Sequence, residues 1–173
     1  MGICFPVTQN WENVMEREWG RAFVHESGHA LMAVLQEISC HGIYYEKGIN
    51  KFCTLTNLPP ASELSEKHYL FLTASGAAEL IIYGDRDQSG ADADKTLFSS
   101  PGAPSFEETL NQAHTILLTK KRQLKQLISN LKAKCRQVDY DLMALPEMGM
   151  DGTDRKFAVL LSKEELEDAV RRN

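Results

Sequence analysis

The sequence predicts a mainly α-helical domain with a small β-hairpin. Three observations predict it. Apolar residues recur at three- and four-residue spacing over most of the chain, the signature of helices with one buried face. Between residues 38 and 58 the pattern alternates instead, around the turn-forming Lys47-Gly48-Ile49-Asn50. Pro and Gly fall mostly between the periodic segments.

The first helix is expected from Gln9 to about Gln36, with Thr8 as N-cap. Trp11, Val14, Met15, Trp19, Ala22, Phe23, Ala30, Leu31, Val34 and Leu35 form its apolar stripe. Gly20 and Gly28 interrupt it, so each is expected to serve close packing. Two strands follow, Ile38–Glu46 and Lys51–Leu58, the second stopped by Pro59-Pro60. Ser65 is expected to cap a helix running to Tyr83, with Gly84 ending it. After a polar loop, Ala91–Ser99 reads as a short helix and SSPGAPS as a linker. Ser105 and Glu108 have the spacing of a capping box, opening one long amphipathic helix from Phe106 to about Gln137. Residues 139–154 read as loop, Phe157–Leu161 as a short strand, and Ser162 as the cap of a closing helix through Val170.

Composition narrows the function. The chain has 173 residues, 43% hydrophobic and 25% charged, the balance of one soluble globular domain. Its formal net charge of −5 argues against nucleic acid as the main partner. No apolar run is long enough for a transmembrane segment and no secretory pattern opens the chain, so a cytoplasmic location is expected. Gly2 and Cys4 resemble lipidation positions, but Pro6 breaks the myristoylation pattern. None of the four cysteines has CxxC spacing, and Cys40 and Cys53 are expected to be small buried hydrophobes. The basic run TKKRQLKQ reads as a solvated helix face.

The chemistry concentrates in His25-Glu26-Ser27-Gly28-His29, an HExxH pattern inside a predicted helix. Residues four apart share a helical face, so both imidazoles can aim at one point. Two such ligands suit zinc, with Glu26 placed as a general base beside the metal rather than on it. A shuffled chain of this composition would show the pattern about one time in a hundred. A catalytic zinc needs a third protein ligand, and no third histidine follows His29 at short range. No glutamate stands in an obvious helix shortly downstream, apart from Glu46 and then Glu79. His41, His68 and His114 lack ligand spacing and read as ordinary histidines.

HESGHAL resembles the HEAGHA motif of the FtsH-type zinc peptidases, the proteolytic domain of membrane-anchored AAA proteases. Ser75-Gly76-Ala77-Ala78-Glu79-Leu80-Ile81-Ile82-Tyr83-Gly84 is similar to that family's GGRAAEELIFG segment, and Ser89-Gly90-Ala91-Asp92-Ala93-Asp94 to its TGASNDL segment. The resemblance covers roughly residues 10–135. It implies a zincin-type helical peptidase domain over residues 1–138, with residues 139–173 as a divergent extension packed on it. It implies Asp94 as third zinc ligand in preference to Asp92, and for Glu79 either a role in holding a histidine tautomer or that of a surface helix charge.

The chain departs from the family in having Gly76 where the motif has arginine, and in showing no Walker A loop. Two function classes stay open. One is an ATP-independent zinc metallopeptidase cutting peptides or unfolded protein, with His25, His29 and Asp94 on Zn2+ and Glu26 as base. The other is a non-catalytic, zinc-containing binding or scaffold module of the same fold; retention of Glu26 favours the first. A zinc hydrolase of non-peptide amides is a weaker third. A homo-oligomer through the C-terminal helices is compatible with their apolar stripes.

Overall fold

A computed structural model describes residues 19–87, 95–138, 141–149 and 154–171. The expected N-cap Thr8 and the first turns of the first helix, the start of the helix expected at Ala91, Asp92 and Asp94 lie outside them.

Helix α1 (Gly20–Leu35) is buried almost all round, because it is the central element. It contacts the hairpin strands β1 (Cys40–Glu46) and β2 (Lys51–Thr56), helix α2 (Glu66–Tyr83), and two C-terminal helices, α4 (Lys121–Gln137) and α5 (Lys163–Arg171). Gly28 sits at the crossing with α2. A Cβ there would lie 2.5 Å from the Ala74 oxygen and 2.7 Å from the Ala78 Cβ. Glycine facing alanines lets the two backbones touch, as the sequence leads one to expect of an interrupted helical pattern.

The expected ends of α2 are present. The Ser65 amide donates to His68 Nδ1 at 3.0 Å, an imidazole taking the part that Glu or Gln plays in a capping box. Gly84 closes the helix in the left-handed region, φ 79°.

Three expectations need correction. The single helix 106–137 is two helices, α3 (Phe106–Thr119) and α4, meeting at Lys120. Their apolar residues stay in helical phase, but α3 packs on α2 whereas α4 packs on α1, so the chain must change direction. The segment 139–154 is not all loop. It contains a 3₁₀ turn at Leu142–Ala144 and a two-residue strand β3 (Met148–Gly149). The hairpin does not stand alone. Strand β4 (Lys156–Ser162) pairs with β1, giving a four-stranded antiparallel sheet in the order β2-β1-β4-β3. The expected helix at 91–99 is represented among the described residues by a 3₁₀ turn at Thr96–Ser99.

The bulge at Gly42 (φ +136°) lets β1 approach β4, where a Cβ would meet the Leu161 oxygen at 2.3 Å. Beyond it, Glu46 and Lys47 are buried charges that fasten the C-terminal segment. Arg155 grips the Glu46 carboxylate with Nε at 2.7 Å and Nη2 at 2.5 Å, holding that carboxyl below its ordinary range. Lys47 Nζ donates to the carbonyls of Met143 (2.7 Å) and Leu145 (2.6 Å). Glu46 is therefore committed to the fold and not available as a metal ligand.

The apolar residues of α4 (Leu124, Leu127, Leu131, Cys135) are fully buried in the chain's own core, while Arg122 and Lys125 of the basic run face solvent. Ser162 opens α5 with a reciprocal cap: its amide donates to Glu165 Oε2 at 2.8 Å, and Glu165's amide to Ser162 Oγ at 3.3 Å. No helix among the described residues is long and apolar enough to cross a membrane.

Candidate functional site

His25 and His29 lie one turn apart on α1 with ring centroids 5.0 Å apart, set edge to face. Each ring is oriented by α2. His25 Nδ1 stands 3.1 Å from Glu79 Oε1, and His29 Nδ1 2.8 Å from the Phe71 carbonyl oxygen. A carbonyl oxygen only accepts, so His29 must carry its hydrogen on Nδ1 and its lone pair on Nε2. The same follows for His25 against the Glu79 carboxylate. This is the arrangement in which the outer nitrogen of a metal-binding histidine is held by an acceptor.

The small-residue crossing of α1 and α2 makes these contacts possible. Glu79 and Phe71 are two helical turns apart on α2, on either side of Ala74 and Ala78, which meet Gly28. Close backbones leave each acceptor within one side-chain length of its imidazole.

Burial pushes the His29 pKa down to about 3, with the neighbouring His25 adding to the effect. The ring is therefore neutral at physiological pH, as a ligand must be. His29 also lies against Phe71 at 4.8 Å.

Glu79, 2% exposed, is a hub. Its Oε2 accepts the Asp87 amide at 2.6 Å and Arg21 Nη1 at 3.3 Å, while Arg21 Nη2 reaches Asp85 at 2.5 Å. Asp87 is the last described residue before segment 88–94. Glu79 thus ties the first histidine to Asp87, the residue that precedes the sequence segment carrying Asp92 and Asp94. The surface-charge reading of Glu79 does not fit this burial.

Glu26, buried at 9% exposure, meets β2 and receives the Thr54 hydroxyl at 2.8 Å on Oε2. Sequence reasoning missed Thr54, and also Arg21. No motif or period marks either, because each matters only through a partner 28 or 58 positions away.

His25, Glu26 and Glu79 open on a cleft of about 320 Å³ walled by Trp19, Ala22 and Phe52, with Asn50, Lys51 and Asp87 at its polar lip. Trp19, Phe23 and Phe52 form an edge-to-face cluster that stiffens one wall. His41, His68 and His114 do not line this cleft.

Among the described residues no three His, Cys, Asp or Glu side chains are gathered to hold a metal. The structure brings together His25, Glu26, His29 and Glu79; Asp94 and Asp92 lie outside the described residues. The donor chemistry fits zinc: two imidazoles whose Nδ1 atoms are held by acceptors, beside a carboxylate.

The thiols stand apart from this chemistry. Cys40, Cys53 and Cys135 are free. Burial first, then Glu26 and Glu46, pushes the half-buried Cys53 up to about 12, and burial does the same to Cys135. Neither supplies a thiolate at neutral pH.

No protein-family model matches the chain, and no curated protein or solved structure matches it either.

Proposed function

We propose that this chain is a zinc-dependent metallopeptidase of the FtsH type, hydrolysing peptide bonds in flexible peptides or unfolded protein. One observation carries the reading. Both histidines of an HExxH helix are held at Nδ1 by acceptors from a second helix, 54 and 42 residues away. A pair of surface histidines has no need of such anchoring.

His25, His29 and Asp94 hold the metal in this reading. A zinc ion held there would supply Lewis acidity, for a carbonyl and for a water molecule. The Glu26 carboxylate would act as the general base, taking a proton from water and giving it to the leaving amine. Glu79 and the Phe71 carbonyl keep the imidazole lone pairs on Nε2. Phe52 and Trp19 exclude water from one side of the cleft, while Asn50 and Lys51 offer hydrogen bonds to a substrate at the other.

Elemental analysis and a fluorogenic unfolded-protein assay test this on wild type, Asp94→Ala and Glu26→Gln, purified without chelator. Wild type should hold about one zinc per chain, and Asp94→Ala far less. Glu26→Gln should keep its zinc and lose roughly 10²–10⁴-fold in kcat. Wild type that stays metal-free after zinc is added, or cleavage indifferent to Glu26→Gln, would overturn the reading.

A further inference from the structure

From the packing of β2 on α1 we infer that Thr54 is the positioning residue for Glu26. The inference rests on the peptidase reading above and assigns to a strand residue the aim of the general base. Strand side chains repeat every second residue, so Phe52 and Thr54 share the face of β2 that meets α1. Phe52 stacks edge to face on Phe23, with centroids 5.2 Å apart. Two residues on along the strand and three along the helix, Thr54 meets Glu26. Its hydroxyl lies 2.8 Å from Glu26 Oε2 and 3.0 Å from the Glu26 backbone oxygen.

The hydroxyl has one hydrogen and two acceptors within reach. Towards a carboxylate it donates to Oε2. The proton taken from water goes to the other carboxylate oxygen, Oε1, while Oε2 goes on accepting the Thr54 hydrogen. Thr54 thereby holds the same Glu26 rotamer before and after proton transfer. Valine would fill the same space and suit the strand equally well, but would remove the hydroxyl's hydrogen bond to Oε2.

The test uses Thr54→Val and Thr54→Ser in the full chain. In the zinc-loaded assay, Thr54→Val should lower kcat about tenfold or more with KM within about twofold, and Thr54→Ser should restore most of it, since misplacing a catalytic group weakens the transition state more than binding. A second readout needs no activity. Denaturant unfolding of zinc-free wild type, Thr54→Val, Glu26→Ala and the double variant forms a cycle in which the two substitutions should be coupled by about fivefold or more in the unfolding constant.

An additive cycle, a kcat within about twofold of wild type in Thr54→Val, or an equal loss in Thr54→Ser would each overturn the role of Thr54 while zinc-dependent cleavage by wild type stands. A coupled cycle with no cleavage by zinc-loaded wild type would instead sink the peptidase reading, and the positioning role with it.

Discussion

Two regions of this molecule bury ionisable side chains, and they do so on opposite terms. At the end of β1, each buried charge is matched within the fold. Glu46 is gripped by both arms of Arg155, and Lys47 by two carbonyls, with Glu147 at 3.5 Å. Between α1, α2 and β2 the chain instead gathers two imidazoles and two carboxylates, with the Arg21 guanidinium on one of them, Glu79. Burying a charge is tolerable when a partner and hydrogen bonds replace water. The first region meets that condition as a fastening for the C-terminal segment. The second sets two imidazoles beside two carboxylates, and His25, Glu26 and Glu79 among them line a cleft. That asymmetry separates the charge that fastens the fold from the charge on which the proposed function rests.

The comparison breaks most severely at Gly28. Gly28→Val would drive a side chain into the Ala74 oxygen, 2.5 Å from the first added atom. Overpacking there should cost about 3 kcal/mol of stability. Because the same crossing brings Glu79 and Phe71 to the histidines, zinc content should fall with the melting temperature. Differential scanning calorimetry beside elemental analysis checks both, and a stable, zinc-replete Gly28→Val would show that the crossing does not build the site.

Lys47→Met sharpens the contrast from the other region. It leaves the Met143 and Leu145 carbonyls without their donor, and should cost about 1–3 kcal/mol in urea unfolding. Zinc content and cleavage should be unchanged in the folded variant, so a loss of either would couple the two regions.

The gentlest probe is pH. His29 titrates near its ordinary 6.5 when unfolded and at about 3 when folded. Between those values the unfolded chain binds the extra proton, so stability is complete above about pH 6.5 and declines as pH falls towards 3, by at most about 1.4 kcal/mol per pH unit. Urea midpoints of the zinc-free protein across this window measure it, and His29→Asn should flatten the slope. An unchanged slope in His29→Asn would mean that another group carries the acid sensitivity.

Local pattern made much of this molecule legible. The helical face shared by His25 and His29, the hairpin around residues 47–50, the Ser65 and Gly84 ends of α2, and the Ser162 cap all follow from rules spanning a few residues. Those rules work because caps, turns and helical faces are decided by neighbours in sequence. The break at Lys120 escaped them, since the apolar stripe runs through it in phase and only the differing partners of α3 and α4 turn the chain. The pairing of β4 with β1 escaped them too, because period-two alternation marks a strand without naming its neighbour.

The candidate site divides in the same way. HExxH by itself determined two imidazoles and a carboxylate on one helix. Only the tertiary structure decided that Glu79 and Phe71 orient those imidazoles, that Thr54 holds Glu26, and that Glu46 is locked to Arg155. These contacts join residues 28 to 109 positions apart. A glycine and two alanines at a helix crossing bring some of them within reach, and a bulged strand brings the others. Such contacts depend on how closely whole elements approach one another, a distance that no local spacing of residues encodes.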